Sequence, residues 1–466
     1  MLRRCSVILL FLAIFSVGAG LAAPPQKPAL DENENKKTAV ESGGSKLPAE
    51  ESDYELYRLL VDSIDQVQEN YVQQIDRREL IEAAIHGVME KLDPYSSYVG
   101  PHDIDQLRTA VESEFGGIGI QVTLDEGELT ILSPIYGTPA YKAGLLAGDK
   151  IVEINGKSTD NLTLDEATRR LKGKEGTLLA LTVIHAGGEK EQISVTRKLI
   201  HVETVLGERR KPDGKWDFLF DPNLRVGYVR LTAFSRDTSG ELQRALEQLQ
   251  AAGMRGLILD LRFNPGGLLS AAIEVSDLFV SEGRIVSTKG RNSPERSWDA
   301  HKEGTFEGFP VVVLVNRFSA SASEIVSACL QDHHRAVIMG ERTWGKGSVQ
   351  SVIELEDGKS ALKLTTAEYL RPSGKNIHRL PDAKEQDQWG VMPDKGYELK
   401  LGERELVELI KDRRQRDILR NGSAEKPVQE KNPATPNNGK PFVDRQLQMA
   451  VNYLSAELAK QKDGGK

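Results

Sequence analysis

The spacing of apolar residues changes along the chain, and each change predicts a different kind of structure. From Tyr54 onward, Leu56, Leu59, Leu60, Ile64 and Val67 recur at helical intervals, and Leu80, Ile81, Ala84, Ile85 and Val88 repeat the pattern. Asp93-Pro94-Tyr95-Ser96-Ser97 stops the second helix. Two amphipathic helices cannot enclose a core, so their apolar faces are expected against another domain or a second copy of the chain. Residues 115–200 instead show short β-rich runs at Ile118–Leu124, Leu129–Leu132, Lys150–Ile154, Leu178–His185 and Glu191–Val195, separated by Gly, Pro and Asp-Gly turns, with one helix at Leu164–Leu171. That pattern predicts a small β-barrel with a helix. From Leu224 strand and helix alternate: Val226–Arg230, helix Ser239–Ala252, Gly256–Asp260, helix Leu268–Phe279, Pro310–Val315, helix Ala322–Gln331 and Ala336–Met339. Alternation of this kind predicts an α/β domain with a mainly parallel, helix-covered sheet.

The flanks carry other signals. Arg3 and Arg4 precede an apolar run from Val7 to Val17, followed by small residues through Gly20-Leu21-Ala22, the layout of an export signal cleaved after about Ala22. The alternative is an uncleaved membrane anchor, although the run is short of the roughly 20 residues a span needs. Both put the body of the protein outside the cytoplasm. Residues 23–50, with Pro24, Pro25, Pro28, Gly43, Gly44 and Pro48 among charges, read as linker. So does the Pro/Asn-rich stretch from about Asn421 to Lys440, before a final amphipathic helix near Val443–Leu458. The expected division is 1–22 signal, 23–50 linker, 51–101 helical, 102–200 β-rich, 201–400 α/β, and 401–466 polar linker and helix. Cys5 lies in the leader and only Cys329 remains, so the mature chain has no intrachain disulfide. At 466 residues, 39% hydrophobic and 28% charged, it has the composition of a soluble protein large enough for several cores. The net charge of −8 is spread thinly and no basic block occurs, which excludes a nucleic-acid surface.

The strongest chemical signal follows the strand at Val311–Val315: Asn316-Arg317-Phe318-Ser319-Ala320-Ser321-Ala322-Ser323-Glu324. A strand entering a tight turn of small residues and then a helix can expose a hydroxyl, and the helix start offers free N–H groups to a developing oxyanion. The competing reading is structural, because Ser321-x-x-Glu324 also matches a capping box. Three serines lie close together, and the residues alone leave the choice among them open. A nucleophilic serine needs a base. His333 and His334 are near in sequence but lie at the far end of the same helix, at about 1.5 Å of rise per residue. Lys346, in Gly340-Glu341-Arg342-Thr343-Trp344-Gly345-Lys346-Gly347, follows the next strand and can open on the same sheet edge. Its glycines and Trp344 predict a close-packed, partly dry pocket of the kind that lowers a lysine pKa from about 10.4 toward neutrality. Gln350 could orient the amine by accepting a hydrogen bond. Gly340-x-x-x-x-Gly345-Lys346 also approaches a phosphate-binding loop, but Gly347 replaces the needed Ser/Thr and the next residues alternate like a strand. The third element, Asp260-Leu261-Arg262-Phe263-Asn264-Pro265-Gly266-Gly267, ends a buried strand where α/β sheets place sites; it also suits an ordinary strand-to-helix turn.

Together and in this order, these elements resemble the C-terminal processing (tail-specific) peptidases, Ser–Lys proteases whose catalytic domain is related to the crotonase and Clp-protease fold. The resemblance covers roughly residues 52–400. It implies that Ser321 is the nucleophile, that Lys346, 346 − 321 = 25 positions on, is the general base, and that Gln350 positions the lysine. It also implies oxyanion donors at the N–H of Ala322 and of Gly267, in preference to Gly266. The β-rich segment resembles the PDZ domain of such peptidases, with Gly116-Gly117-Ile118-Gly119-Ile120 matching the carboxylate-binding loop and Thr138–Leu145 and Gly148–Ile151 the later turns. Gly117, Ile118, Gly119 and Ile120 are thus the candidate peptide-carboxylate site, where successive N–H groups hold a free carboxylate and a strand edge pairs with the tail. The implied substrates are proteins or peptides with accessible C-termini, no cofactor or metal is implied, and PDZ occupancy is expected to gate the dyad. An adaptor or activating protein, and a homodimer through the helices at 54–91 and the terminal helix, are further candidate partners. Two alternatives are a non-catalytic peptide-binding protein and a Ser–His hydrolase using His333 or His334.

Overall fold

A computed structural model describes residues 52–185, 187–211, 213–292, 294–418 and 442–463. The leader and both linkers expected from the sequence lie outside these residues. The described chain falls into two compact units, one holding residues 52–104 with 351–364, the other 105–350 with 365–463.

The smaller unit begins with helices Asp53–Asn70 and Arg77–Glu90. Ser52 and Glu55 form a reciprocal capping box on the first, and the Asp76 carboxylate caps the second. No residue of the first helix is buried, and Leu56, Leu59, Leu60, Val61 and Val67 stay exposed. After the second helix the Asp93 carboxylate accepts the N–H groups of Tyr95 (2.8 Å) and Ser96 (2.9 Å), which turns the chain into the short strand Ser97–Val99. That strand pairs with Ala361–Lys363.

The larger unit contains the β-rich domain and the α/β domain. In the former, Ile120–Asp125, Glu128–Pro134, Lys150–Ile154, Leu178–Ile184 and Lys190–Thr196 form an antiparallel sheet in that order. Its own core gathers Ile118, Ile131, Leu145, Ile151, Leu179, Leu181 and Val183 with Ala167 of the helix Leu164–Leu171. Ile120–Asp125 is an edge strand of this sheet. A ribbon of Glu114–Gly117 paired with Lys198–His201 carries the chain into and out of the domain.

In the α/β domain four strands, Val226–Leu231, Gly256–Asp260, Val311–Val315 and Ala336–Gly340, lie side by side in parallel. Every residue of the central two is buried, as expected of a sheet covered on both faces. Alternate side chains divide between two cores. Leu257, Leu259, Val311, Val313 and Val315 meet the helices Thr238–Ala251, Leu269–Asp277 and Ala322–Asp332. Ile258, Val312, Leu314 and Met339 meet Leu447, Ala450, Leu454 and Leu458 of the last helix, Arg445–Asp463.

The expected elements recur with ends shifted by a few residues. One expectation is incomplete: residues 401–418 are not polar linker, because a helix spans Glu403–Asp417. Leu406 and Leu409 supply its apolar contacts, and Arg413 is buried beside them by ion pairing with Asp260. Arginine counts as polar in any hydrophobic periodicity, so the buried face does not register.

Candidate active site

The strand Val311–Val315 delivers the chain into a turn that Asn316 holds together, its side-chain oxygen accepting the N–H groups of Phe263 (3.0 Å) and Phe318 (3.1 Å). The turn distinguishes the three serines. Ser319 is fully buried, donates to the Leu261 carbonyl (2.9 Å) and accepts the Asn316 N–H (3.0 Å). Ser323 is equally buried and donates to the Asn264 carbonyl at 2.9 Å. Ser321 is partly exposed, and its hydroxyl makes no helix-cap hydrogen bond. Its backbone lies at φ 55°, ψ −115°, a conformation that strains a residue bearing a Cβ by about 1–3 kcal/mol. The capping is therefore one-sided: the Glu324 carboxylate takes the Ser321 N–H (2.8 Å), while the Glu324 N–H goes to the Ser321 carbonyl (2.8 Å).

Glu324 also joins this turn to the glycine-flanked loop. It is completely buried, and Oε2 accepts both the Ser321 N–H and the Lys346 N–H, each at 2.8 Å. Oε1 accepts the Gly345 N–H (2.6 Å) and the Thr343 hydroxyl (2.5 Å). Burial raises the carboxyl pKa above its ordinary value, and these four donors act against the rise. Tyr369 braces the same junction from the other side, its hydroxyl 2.6 Å from the Lys346 carbonyl oxygen and 3.2 Å from that of Ser321. Ser321 and Lys346 are thus held together through their backbones, at the shared edge expected from the sequence. The Gln350 amide donates to the hydroxyls of Ser348 (2.9 Å) and Thr365 (3.1 Å), which leaves its oxygen as the acceptor.

Trp344 does not make the pocket dry, being 43% exposed. Close packing comes instead from Gly345 and Gly347: a Cβ on the first would lie 2.8 Å from Arg379 Cβ, and on the second 2.7 Å from the His378 nitrogen. The loop does not cradle phosphate, because the N–H groups of Gly345 and Lys346 are spent on Glu324 and the strand Ser348–Leu355 follows. His333 ends the helix that starts behind Ser321 and bonds the Arg284 carbonyl (2.7 Å), away from this turn. Cys329 is buried, with its thiol pushed up to about 12 by burial.

The glycine turn lies directly against the serine turn. A Cβ on Gly266 would come within 2.7 Å of the Ala320 carbonyl oxygen, 2.8 Å of Ser321 Cβ and 2.9 Å of the Ala322 nitrogen. The Gly266 N–H is bonded to Asn264 Oδ1 (2.9 Å). Gly267 adopts φ 149° and bridges Phe234, whose carbonyl a Cβ there would strike. Ala322 is the first residue of its helix, where amides lack intrahelical partners.

In the β-rich domain, Gly117 ends the ribbon strand, and Ile118 buries its side chain in the domain core, so that only its backbone can meet a ligand. Gly119 adopts φ 80° beside Thr138, and Ile120 opens the edge strand. Glu324, Thr343 and Tyr369 escaped the sequence reading as parts of the site. Of these only Glu324 carried a signal, its spacing from Ser321.

This is an α/β catalytic domain with an inserted peptide-binding module. The profile of Peptidase family S41 matches residues 225–394, a PDZ domain profile matches 130–184, and the Activating protease CtpB N-terminal domain matches 17–102. The Carboxy-terminal-processing protease of Bartonella bacilliformis is 39% identical over 79% of this chain and 83% of its own length. The Carboxyl-terminal-processing protease of Synechocystis sp. is 37% identical over 72% and 75%. The Carboxy-terminal processing protease CtpA of Bacillus subtilis is 38% identical over 68% of this chain and 65% of the relative. The chain belongs to peptidase family S41: it is a serine-type C-terminal processing peptidase with a PDZ domain.

Proposed function

We propose that Ser321 and Lys346 form the catalytic dyad of this peptidase. The observation that carries the reading is the single Glu324 oxygen accepting the N–H groups of both residues. Neutral Lys346 takes the Ser321 proton, Ser321 attacks the scissile carbonyl, and the N–H groups of Gly267 and Ala322 hold the oxyanion. Gly266 serves as the close-packing residue that lets the two turns meet. Protonated Lys346 then gives its proton to the leaving amine, and water releases the acyl-enzyme with the same lysine as base. Gln350, its amide protons fixed by Ser348 and Thr365, steers the amine with its oxygen.

The PDZ domain captures the free C-termini of protein substrates, with the backbone of Gly117, Ile118, Gly119 and Ile120 facing the carboxylate and the edge strand Ile120–Asp125 pairing with the tail. Tail binding gates the dyad. The leader pattern assigns the protein to the periplasm or the exterior; among the described residues no helix is long and apolar enough to cross a membrane. The apolar stripe left exposed on Asp53–Asn70 is the surface for a second copy or an activating protein.

The test is cleavage of an unstructured protein with an apolar tail, with the new C-termini read by mass spectrometry. Ser321→Ala and Lys346→Ala are each expected to abolish cleavage while circular dichroism is unchanged. Retained cleavage by either variant refutes the dyad, and loss only on His333→Ala or His334→Ala would transfer the role to a histidine.

A further inference from the structure

The ribbon that leads into and out of the PDZ domain sets Glu114 directly opposite His201. Asp237, just before the helix Thr238–Ala251, stands beside them, and its carboxylate does not cap that helix. His201 Nδ1 lies 3.6 Å from an Asp237 oxygen and 3.9 Å from a Glu114 oxygen. One ligand atom from each of the three lies within 4.8 Å of the others. The two imidazole–carboxylate separations are too long for hydrogen bonds. They approach the edge of about 3.4 Å that a tetrahedron has when its bonds are about 2.1 Å, the zinc–nitrogen and zinc–oxygen length.

The other face of the imidazole supports the same reading. His201 Nε2 is 2.6 Å from Glu241 Oε1. The other Glu241 oxygen is anchored by the N–H groups of Thr204 (2.9 Å) and Val205 (3.1 Å) and by the Thr204 hydroxyl (2.9 Å). Nε2 faces a carboxylate fixed in this way, which leaves Nδ1 as the ring nitrogen directed at Glu114 and Asp237. Two carboxylates converging on one ring nitrogen repel each other unless a positive charge lies near them. The neighbouring Arg236 does not supply it, being paired with Glu112 at 3.8 Å.

We propose that Glu114, His201 and Asp237 form a divalent-cation site of the zinc class, with water completing the coordination and Glu241 orienting the imidazole from behind. One imidazole and two carboxylates suit a borderline first-row ion, and an outer carboxylate on the second ring nitrogen is the usual support of a ligating histidine. The ion fastens the PDZ ribbon to Asp237, three residues past Phe234. Phe234 in turn holds the glycine turn, its N–H on the Gly266 carbonyl (3.0 Å) and its carbonyl accepting the Leu268 N–H (2.7 Å). The site is a tether at the base of the PDZ domain, separate from the dyad.

The experiment is a calorimetric titration of chelator-stripped, full-length Ser321→Ala protein with zinc chloride. One ion per chain is expected, with micromolar or tighter affinity. His201→Gln and Asp237→Asn should each weaken binding at least tenfold, and Glu241→Gln by about 10–100-fold, as loss of an outer carboxylate does. His185→Gln, whose ring already lies 2.9 Å from both Asp149 and Glu191, should leave the titration unchanged. Circular dichroism of each variant without metal checks that it is folded, and Glu114→Gln replaces any that is not. No zinc uptake by the folded parent overturns the proposal, as does uptake that survives loss of His201. Because the catalytic serine is absent throughout, the result is independent of the dyad.

Discussion

Ser321 carries a backbone conformation that an alanine shares and a glycine relieves. At φ 55° the strain is intrinsic to the Cβ, so Ser321→Ala keeps it and Ser321→Gly removes it. Relief of about 1–3 kcal/mol outweighs the entropy glycine adds to the unfolded chain. We expect both variants to be inactive, and Ser321→Gly to be more stable than Ser321→Ala by about 1 kcal/mol in urea unfolding. Equal stabilities would mean that the turn stores no strain. Glu324 offers a second test at this scale. A glutamine there has one acceptor oxygen and directs its NH2 toward two of the present donors. Glu324→Gln should therefore destabilise the fold by about 1–3 kcal/mol and lower kcat at least tenfold, with KM little changed, because the serine turn and the lysine loop separate. A steady-state comparison checks it; an unchanged kcat would show that the shared carboxylate does not set the proposed dyad.

Among the elements, the two C-terminal helices depend on charges buried at the end of the strand Gly256–Asp260. Asp260 is fully buried and accepts from Arg262, Arg413 and the Tyr228 hydroxyl. Arg262, also buried, reaches Asp444 (2.8 Å) and Gln446 (2.9 Å) at the start of the last helix. Burial would raise the Asp260 and Asp444 pKa values, but the facing arginines dominate and hold both carboxyls below the usual range. A depressed folded pKa gives stability that is present above the unfolded value, about 3.9 for aspartate, and lost as pH falls through the folded one. Unfolding free energy should therefore drop steeply below about pH 4 in the wild type and less steeply in Asp444→Asn. Asp444→Ala, which strands part of a buried guanidinium, should cost about 3–5 kcal/mol at neutral pH. Denaturant titrations over pH test both; a pH-independent difference between wild type and Asp444→Asn would count against the linkage. The helix Glu403–Asp417 was missed in the sequence for this same reason. Its buried side includes an arginine whose partner lies 153 positions away in the chain.

For the whole molecule, the parallel sheet needs cover on both faces, and the last helix provides it for one of them. Leu447, Ala450, Leu454 and Leu458 pack on Val226, Tyr228, Ile258, Val312 and Leu314. Removing residues 442–466 should expose that face and leave the chain aggregated or ANS-binding. A soluble, cooperatively melting chain without the last helix would contradict this packing. Much of this architecture was legible beforehand, since period and turn chemistry are local. The strand–helix alternation, the PDZ-like turns and the order of the serine, lysine and glycine motifs all lie in short stretches. The sequence by itself determined the family and the elements, and narrowed the candidates for nucleophile and base to a short list. Only the tertiary structure decided which serine keeps its hydroxyl unspent by the turn, because Ser319 and Ser323 are bonded to carbonyls of a distant loop. It alone disclosed Glu324 as the junction and Glu114, His201 and Asp237 as neighbours, because those contacts join segments that no spacing rule connects.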